Sequence, residues 1–161
     1  MDDIDALKLH ICEAFAHVEY PGDWCLRGSN EGDEPYLLEQ EFMGKKDWGS
    51  LDAKFIDRAP DGFGSALSFF SDAAFHFYLP AYLLADIDRL LEQHDSVFHF
   101  TYGLTNEERH QHINPRRYGE RTWFDEATHK FAMFGRAESA AIVAYLRHKR
   151  EESDFDRDRI D

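Results

Sequence analysis

The sequence predicts an all-α fold, a single compact helical domain of about five to six helices, and three observations lead there. Apolar residues recur at helical spacing along several segments. The one segment with partial alternation, 95–104, has no second strand to pair with. The most apolar stretch is apolar on nearly every side, as the buried centre of a helical domain would be. At 161 residues, 43% hydrophobic and 15% aromatic, the chain is the size of one domain and can bury a real core. The expected organisation is one domain over residues 1–152 and a charged, frayed tail over 153–161, where few apolar residues occur.

The first helix is read over residues 3–18. Ile4, Leu7, Ile11, Phe15 and Val18 fall three and four apart, and Asp2, Asp3 and Asp5 suit its positive end. Tyr20-Pro21-Gly22-Asp23 ends it with turn chemistry. After a loop, Pro35 opens a short helix that closes at Gly44. Another short helix is expected between Gly49 and Pro60 from Trp48, Leu51, Phe55 and Ile56. Ser71 is a natural N-cap for a helix beginning at Asp72. Pro80 removes a backbone donor eight residues later, so the central element is read as a helix pair broken at Pro80, the second half reaching about Gln93. Phe69, Phe75, Tyr78, Leu79, Leu83 and Ile87 are its expected core residues. Residues 95–104 read as irregular, 105–112 as a short helix before a loop, and 136–151 as a strong helix with Arg147, His148, Lys149 and Arg150 at its negative end.

The run Phe75-His76-Phe77-Tyr78-Leu79-Pro80-Ala81-Tyr82-Leu83, with its Phe-rich lead-in, resembles a family of small bacterial proteins catalogued as a domain of unknown function, whose hallmark is F-x-F-Y-L-P-A-Y-L. The similarity extends to Ala14-Phe15 through Tyr20-Pro21-Gly22 and to the final helix after Phe131–Phe134. It implies a single helical bacterial domain and no particular chemistry. Tyr78 and Tyr82, four apart, could bracket a ligand, but core aromatics with bonded hydroxyls are the expected reading.

Charge excludes more than any motif identifies. Eighteen Lys and Arg against 32 Asp and Glu give −14, a field that repels phosphate backbones and anionic lipid, so neither nucleic acid nor a membrane is the expected partner. The acidic start, Met1-Asp2-Asp3-Ile4-Asp5, is unlike a secretory signal and no run is long enough to span a bilayer, so a cytoplasmic location is expected. Cys12 and Cys25 form no C-x-x-C pair and read as reduced structural thiols. No catalytic residue, cofactor motif or metal site is assigned. There is no G-x-S-x-G elbow, and Gly62-Phe63-Gly64-Ser65 lacks the Gly-Lys-Ser/Thr of a phosphate loop. His110-Gln111-His112 is the nearest approach to a ligand pair, and His129 its first candidate companion.

The acid is one-sided. Residues 1–100 hold 7 Lys and Arg against 20 Asp and Glu, net −13, whereas 101–161 hold 11 against 12, net −1. The densest part, 31–42, interleaves acids with apolar side chains. It is the expected partner-binding segment, with Glu31, Asp33, Glu34, Glu39 and Glu41 steering a basic protein and Tyr36 and Phe42 anchoring it. The functional expectation is a small acidic binding protein, an immunity-type inhibitor of a basic, nuclease-like toxin. The alternatives are a small metal-dependent enzyme using His110 and His112, or a structural homodimeric subunit.

Overall fold

The computed structural model, which describes residues 1–161, is all-helical. Ten α-helices occur: α1 Asp3–Phe15, α2 Glu34–Phe42, α3 Ala53–Arg58, α4 Ala66–Phe69, α5 Asp72–Ile87, α6 Phe98–Thr101, α7 Pro115–Tyr118, α8 Trp123–Phe131, α9 Arg136–Glu152 and α10 Asp154–Ile160. Three-residue 3₁₀ turns stand at Asp23–Cys25 and Trp48–Ser50, and there is no strand. The expectation of five to six helices is therefore too low. α4, α6 and α7 have four residues each, about one turn, which is too short to display a 3.6-residue period. The segment 95–104 contains α6, and 105–112 is a run of turns where a helix was expected. By its contacts the chain gathers into two units, Met1–Ser96 and Val97–Asp161.

The first unit is organised by α5. Ser71 caps it, accepting from Ala74 N–H at 3.0 Å while its hydroxyl donates to Cys25 C=O at 2.6 Å. The helix runs unbroken through Pro80, which corrects the expected broken pair. An internal proline costs about 3 kcal/mol in lost hydrogen bonding and ring clash. Eleven of the sixteen residues of α5 are buried. Burying one large apolar side chain contributes about 1.5–3 kcal/mol, so packing outweighs the proline several times over.

Other elements are held to α5 by specific contacts. Lys8 of α1 meets Asp88, just past the end of α5, at 2.8 Å. The Tyr78 hydroxyl donates to Lys45 C=O at 2.6 Å and the Tyr82 hydroxyl to Ile56 C=O at 3.2 Å. Burial pushes both phenols far above their ordinary pKa. Phe42 sits at the centre of an aromatic cluster, 5.1 Å from Phe55, 4.9 Å from Phe70 and 4.9 Å from Tyr78 by ring centroids. Of the expected core residues, Phe75, Tyr78, Leu79, Leu83 and Ile87 are buried, and Phe69 is half-buried. Gly28 runs so close to α4's end that a Cβ there would lie 2.6 Å from Phe70 O, and its N–H donates to Phe69 C=O at 2.8 Å.

Behind α5, Asp57 is buried and accepts the backbone N–H groups of Glu92 and Gln93, both at 2.9 Å. His94, 9% exposed, packs edge-on against Tyr82 at 4.8 Å.

In the second unit, α8 opens with a capping box. Thr122 Oγ1 accepts from Asp125 N–H at 3.1 Å and Asp125 Oδ2 accepts from Thr122 N–H at 3.0 Å. Those backbone and side-chain bonds hold the Asp125 carboxyl below its ordinary pKa. Val97, Phe100, Ala141, Ile142 and Tyr145 form the small core here. Within residues 153–161, expected as a frayed tail, Asp154–Ile160 form α10, which packs on α9. Arg150 grips Asp161 through two bonds, Nε to Oδ1 at 2.5 Å and Nη2 to Oδ2 at 2.9 Å, and Asp156 is buried with Arg159 against it. Such paired charges let a polar segment stay helical without a wide apolar face.

Replacing Phe75 by Ala is expected to lower the unfolding free energy by roughly 3–5 kcal/mol, read from chemical denaturation midpoints. A pH dependence follows from His94, whose pKa burial lowers from the ordinary 6.5 despite the opposing pull of Asp57. The unfolded chain takes up this proton first, so stability is constant above that value and falls as pH drops below it toward the folded pKa. Denaturation midpoints measured from neutral to mildly acidic pH should show this loss, and His94→Phe should reduce it.

Candidate functional site

Three tethers lay the 20–27 loop along α2. Asp23 Oδ1 accepts from Gly44 N–H at 2.9 Å and from the Tyr20 hydroxyl, which burial and this bond raise to a pKa of about 12. The same bonds hold Asp23 below its ordinary pKa, the Tyr20 hydroxyl contributing most. At the other end of the loop, Arg27 Nη1 pairs with Glu39 at 2.5 Å, and its guanidinium lies 4.5 Å from the Tyr36 ring centroid. Trp24 stands between these tethers and is 85% exposed. Met43, at the C-cap of α2 next to Gly44, is 50% exposed, and Tyr36 43%.

The predicted binding residues therefore divide. Glu31 and Asp33 are exposed at the start of the segment. Tyr36 is exposed, and Arg27 covers one ring face. Glu39 bonds to Arg27, Glu34 accepts from the Ser65 hydroxyl at 2.5 Å, and Glu41 accepts from Asp61 N–H at 2.9 Å. The last bond steadies a turn in which Asp61 adopts φ +46. Phe42 is fully buried, which corrects its assignment as an anchor. At the α2 end facing Phe55, Phe70 and Tyr78 its ring has no route to a partner.

Sequence reading missed Trp24 and Met43. The signal for Trp24 was its place immediately after Pro21-Gly22-Asp23, in a turn, where a large aromatic has no helical face to join.

The histidines take other places. His110 packs on Phe124 at 6.2 Å, and His112 forms an isolated backbone bridge with Thr122. His129 is exposed on α8. No group of three or more His, Cys, Asp or Glu is placed to hold a metal ion. Cys12 and Cys25 are free thiols. No helix is long and apolar enough to cross a membrane.

Fold and surface define an acidic all-helical protein with a tethered loop presenting a tryptophan beside an acidic helix. The chain belongs to the family of unknown function DUF6714, which it matches over residues 3–160. No curated protein and no solved structure matches it.

The division between core and surface is testable at two aromatic positions of one helix. Phe42→Ala should destabilise the protein by roughly 3–5 kcal/mol. Tyr36→Ala, which loses mainly a surface cation–π contact, should cost about 1 kcal/mol or less in the same urea titration.

Proposed function

We propose that the protein is a binding module that captures a basic protein partner, in the manner of an immunity protein holding a nuclease-like toxin in the cytoplasm. The observation that carries this reading is the coincidence of charge with architecture. Val97 to Phe100 bear no charge, so the unit Met1–Ser96 holds all of the 7 Lys and Arg and 20 Asp and Glu of residues 1–100, net −13. Trp24, Tyr36 and Met43 are the apolar side chains this acidic unit leaves open beside α2. Tryptophan and tyrosine supply large contact area at low entropic cost, and a single-sign rim speeds encounter with an oppositely charged surface.

The roles separate kinetically. Glu31 and Asp33 steer, and Trp24 anchors; Glu34, Glu39 and Glu41 hold the presenting surface in shape. The immobilised protein is used to recover its partner from extracts of the source cells, and the product of the neighbouring gene is tested directly. The captured protein is expected to be strongly basic. Trp24→Ala should then weaken binding by about 2 kcal/mol or more, mainly through faster dissociation. Glu31→Gln with Asp33→Asn should slow association at low salt and leave dissociation nearly unchanged. Equal association rates for this variant and the wild type would remove the steering role, and an acidic or neutral partner would overturn the reading as a whole.

A further inference from the structure

A hollow of about 180 Å³ lies within the second unit, between α6 with the turn that follows it and one face of α8. α8 buries none of its residues completely, so the apolar face formed by Trp123, Ala127 and Phe131 at successive intervals of four is only half covered. The other wall is aromatic too. Tyr102, 56% exposed, meets Trp123 edge-to-face at 4.9 Å and 80°, and Phe98 leans on Tyr102 at 4.7 Å. Gly103, at φ +73, permits this: a Cβ there would come within 2.6 Å of the Trp123 ring. Glu126 and Lys130, one turn apart on α8, add an acceptor and a donor to the lining.

An independent feature adjoins it. Residues 109–121 hold four arginines against one acid, Glu120, in a chain whose net charge is −14. They form a loop closed at its base by Ile113 N–H to Arg121 C=O at 3.0 Å and Trp123 N–H to Gln111 C=O at 3.2 Å, with α7 within it. A line of contacts runs from this loop to the hollow. The Arg117 and Arg121 guanidiniums lie 5.5 and 5.9 Å from the Tyr118 ring centroid, and Arg121 pairs at 3.0 Å with Glu126, which lines the hollow. The same base bonds place Trp123 both in the wall of the hollow and at the foot of the arginine loop.

We propose that this hollow binds a free nucleotide, its base among the rings of Phe98, Tyr102 and Trp123 and its phosphate toward the guanidiniums of Arg121 and Arg117. Aromatic faces stack any base, and arginine matches phosphate oxygens in a two-pronged geometry. The hollow has room for one base. The chain's net charge of −14 disfavours a polyanionic strand, whereas a mononucleotide presents its phosphate end to the arginines of one loop. The site is independent of the acidic surface around Trp24.

The test is calorimetric titration of the whole protein with AMP, ATP, adenosine, ribose 5-phosphate and a short single-stranded oligonucleotide. AMP and ATP should bind more tightly than adenosine or ribose 5-phosphate, and less tightly as salt is raised. Arg121→Gln, at a surface position, should weaken AMP roughly tenfold with an unchanged melting temperature. Trp123→Leu should weaken it on the order of ten- to hundredfold. If Trp123→Leu fails to fold, Tyr102→Ala at an exposed wall position takes its place with the same expected direction. No binding of either mononucleotide at millimolar concentration would overturn the proposal. So would AMP binding that neither variant changes, or an oligonucleotide that binds more tightly than AMP.

Discussion

The first unit depends on the burial of most of α5, eleven of its sixteen residues. A helix apolar on nearly every side needs neighbours on nearly every side, and its two buried phenols add a second requirement. Each hydroxyl must find an acceptor or suffer the cost of an unmade hydrogen bond in a dry interior, about 1–3 kcal/mol. Tyr78 finds one at Lys45, in the loop after α2, and Tyr82 finds one at Ile56, in α3. The positions of α2 and α3 follow from these bonds and from the Phe42 cluster beside them. Pro80 survives inside the helix for the same reason, since surroundings that hold both halves also hold the join.

That constraint reaches the surface. Phe42 locks the C-terminal end of α2 into the core, so the helix offers its opposite side, with Tyr36, to solvent. The 20–27 loop is then drawn along it by Asp23, at Gly44, and by Arg27, at Glu39 and Tyr36. Trp24 is exposed because both ends of its turn are fixed and its ring has no pocket to enter. Several acids that look like a steering field in sequence are structural supports: Glu39 and Glu41 bond within the first unit, where local attraction outweighs the repulsion of the net charge.

The second unit is built differently. Its core is small, and caps and ion pairs do much of the ordering: the Thr122–Asp125 box starts α8, Glu138 reaches back to Gly135 N–H at 3.1 Å at the start of α9, and Arg150 with Asp161 closes α10 onto α9. Such polar devices order a nearly neutral, arginine-bearing unit and leave aromatic side chains of α6 and α8 partly uncovered.

The sequence by itself determined the helical class, the bounds of α1, α2 and α9 to within a few residues, the cap at Ser71 and the centrality of α5. Each is local: a period, a cap or a breaker acts within a few residues of itself. The Thr122 capping box was equally legible, as Thr-x-x-Asp before an amphipathic segment, and α8 could have been read from it. Only the tertiary structure decided that Pro80 is tolerated, that residues 153–161 are helical, that Phe42 is core while Trp24 and Met43 are surface, and that Glu34, Glu39 and Glu41 are bonded within the chain. Phe42 and Tyr36 lie on one short helix and are both aromatic. What separates them is the rings of Phe55, Phe70 and Tyr78, brought in from distant parts of the chain. Helical spacing can say that a residue faces a core, but the burial that stabilises it belongs to residues far away in sequence, and only folding brings them within reach.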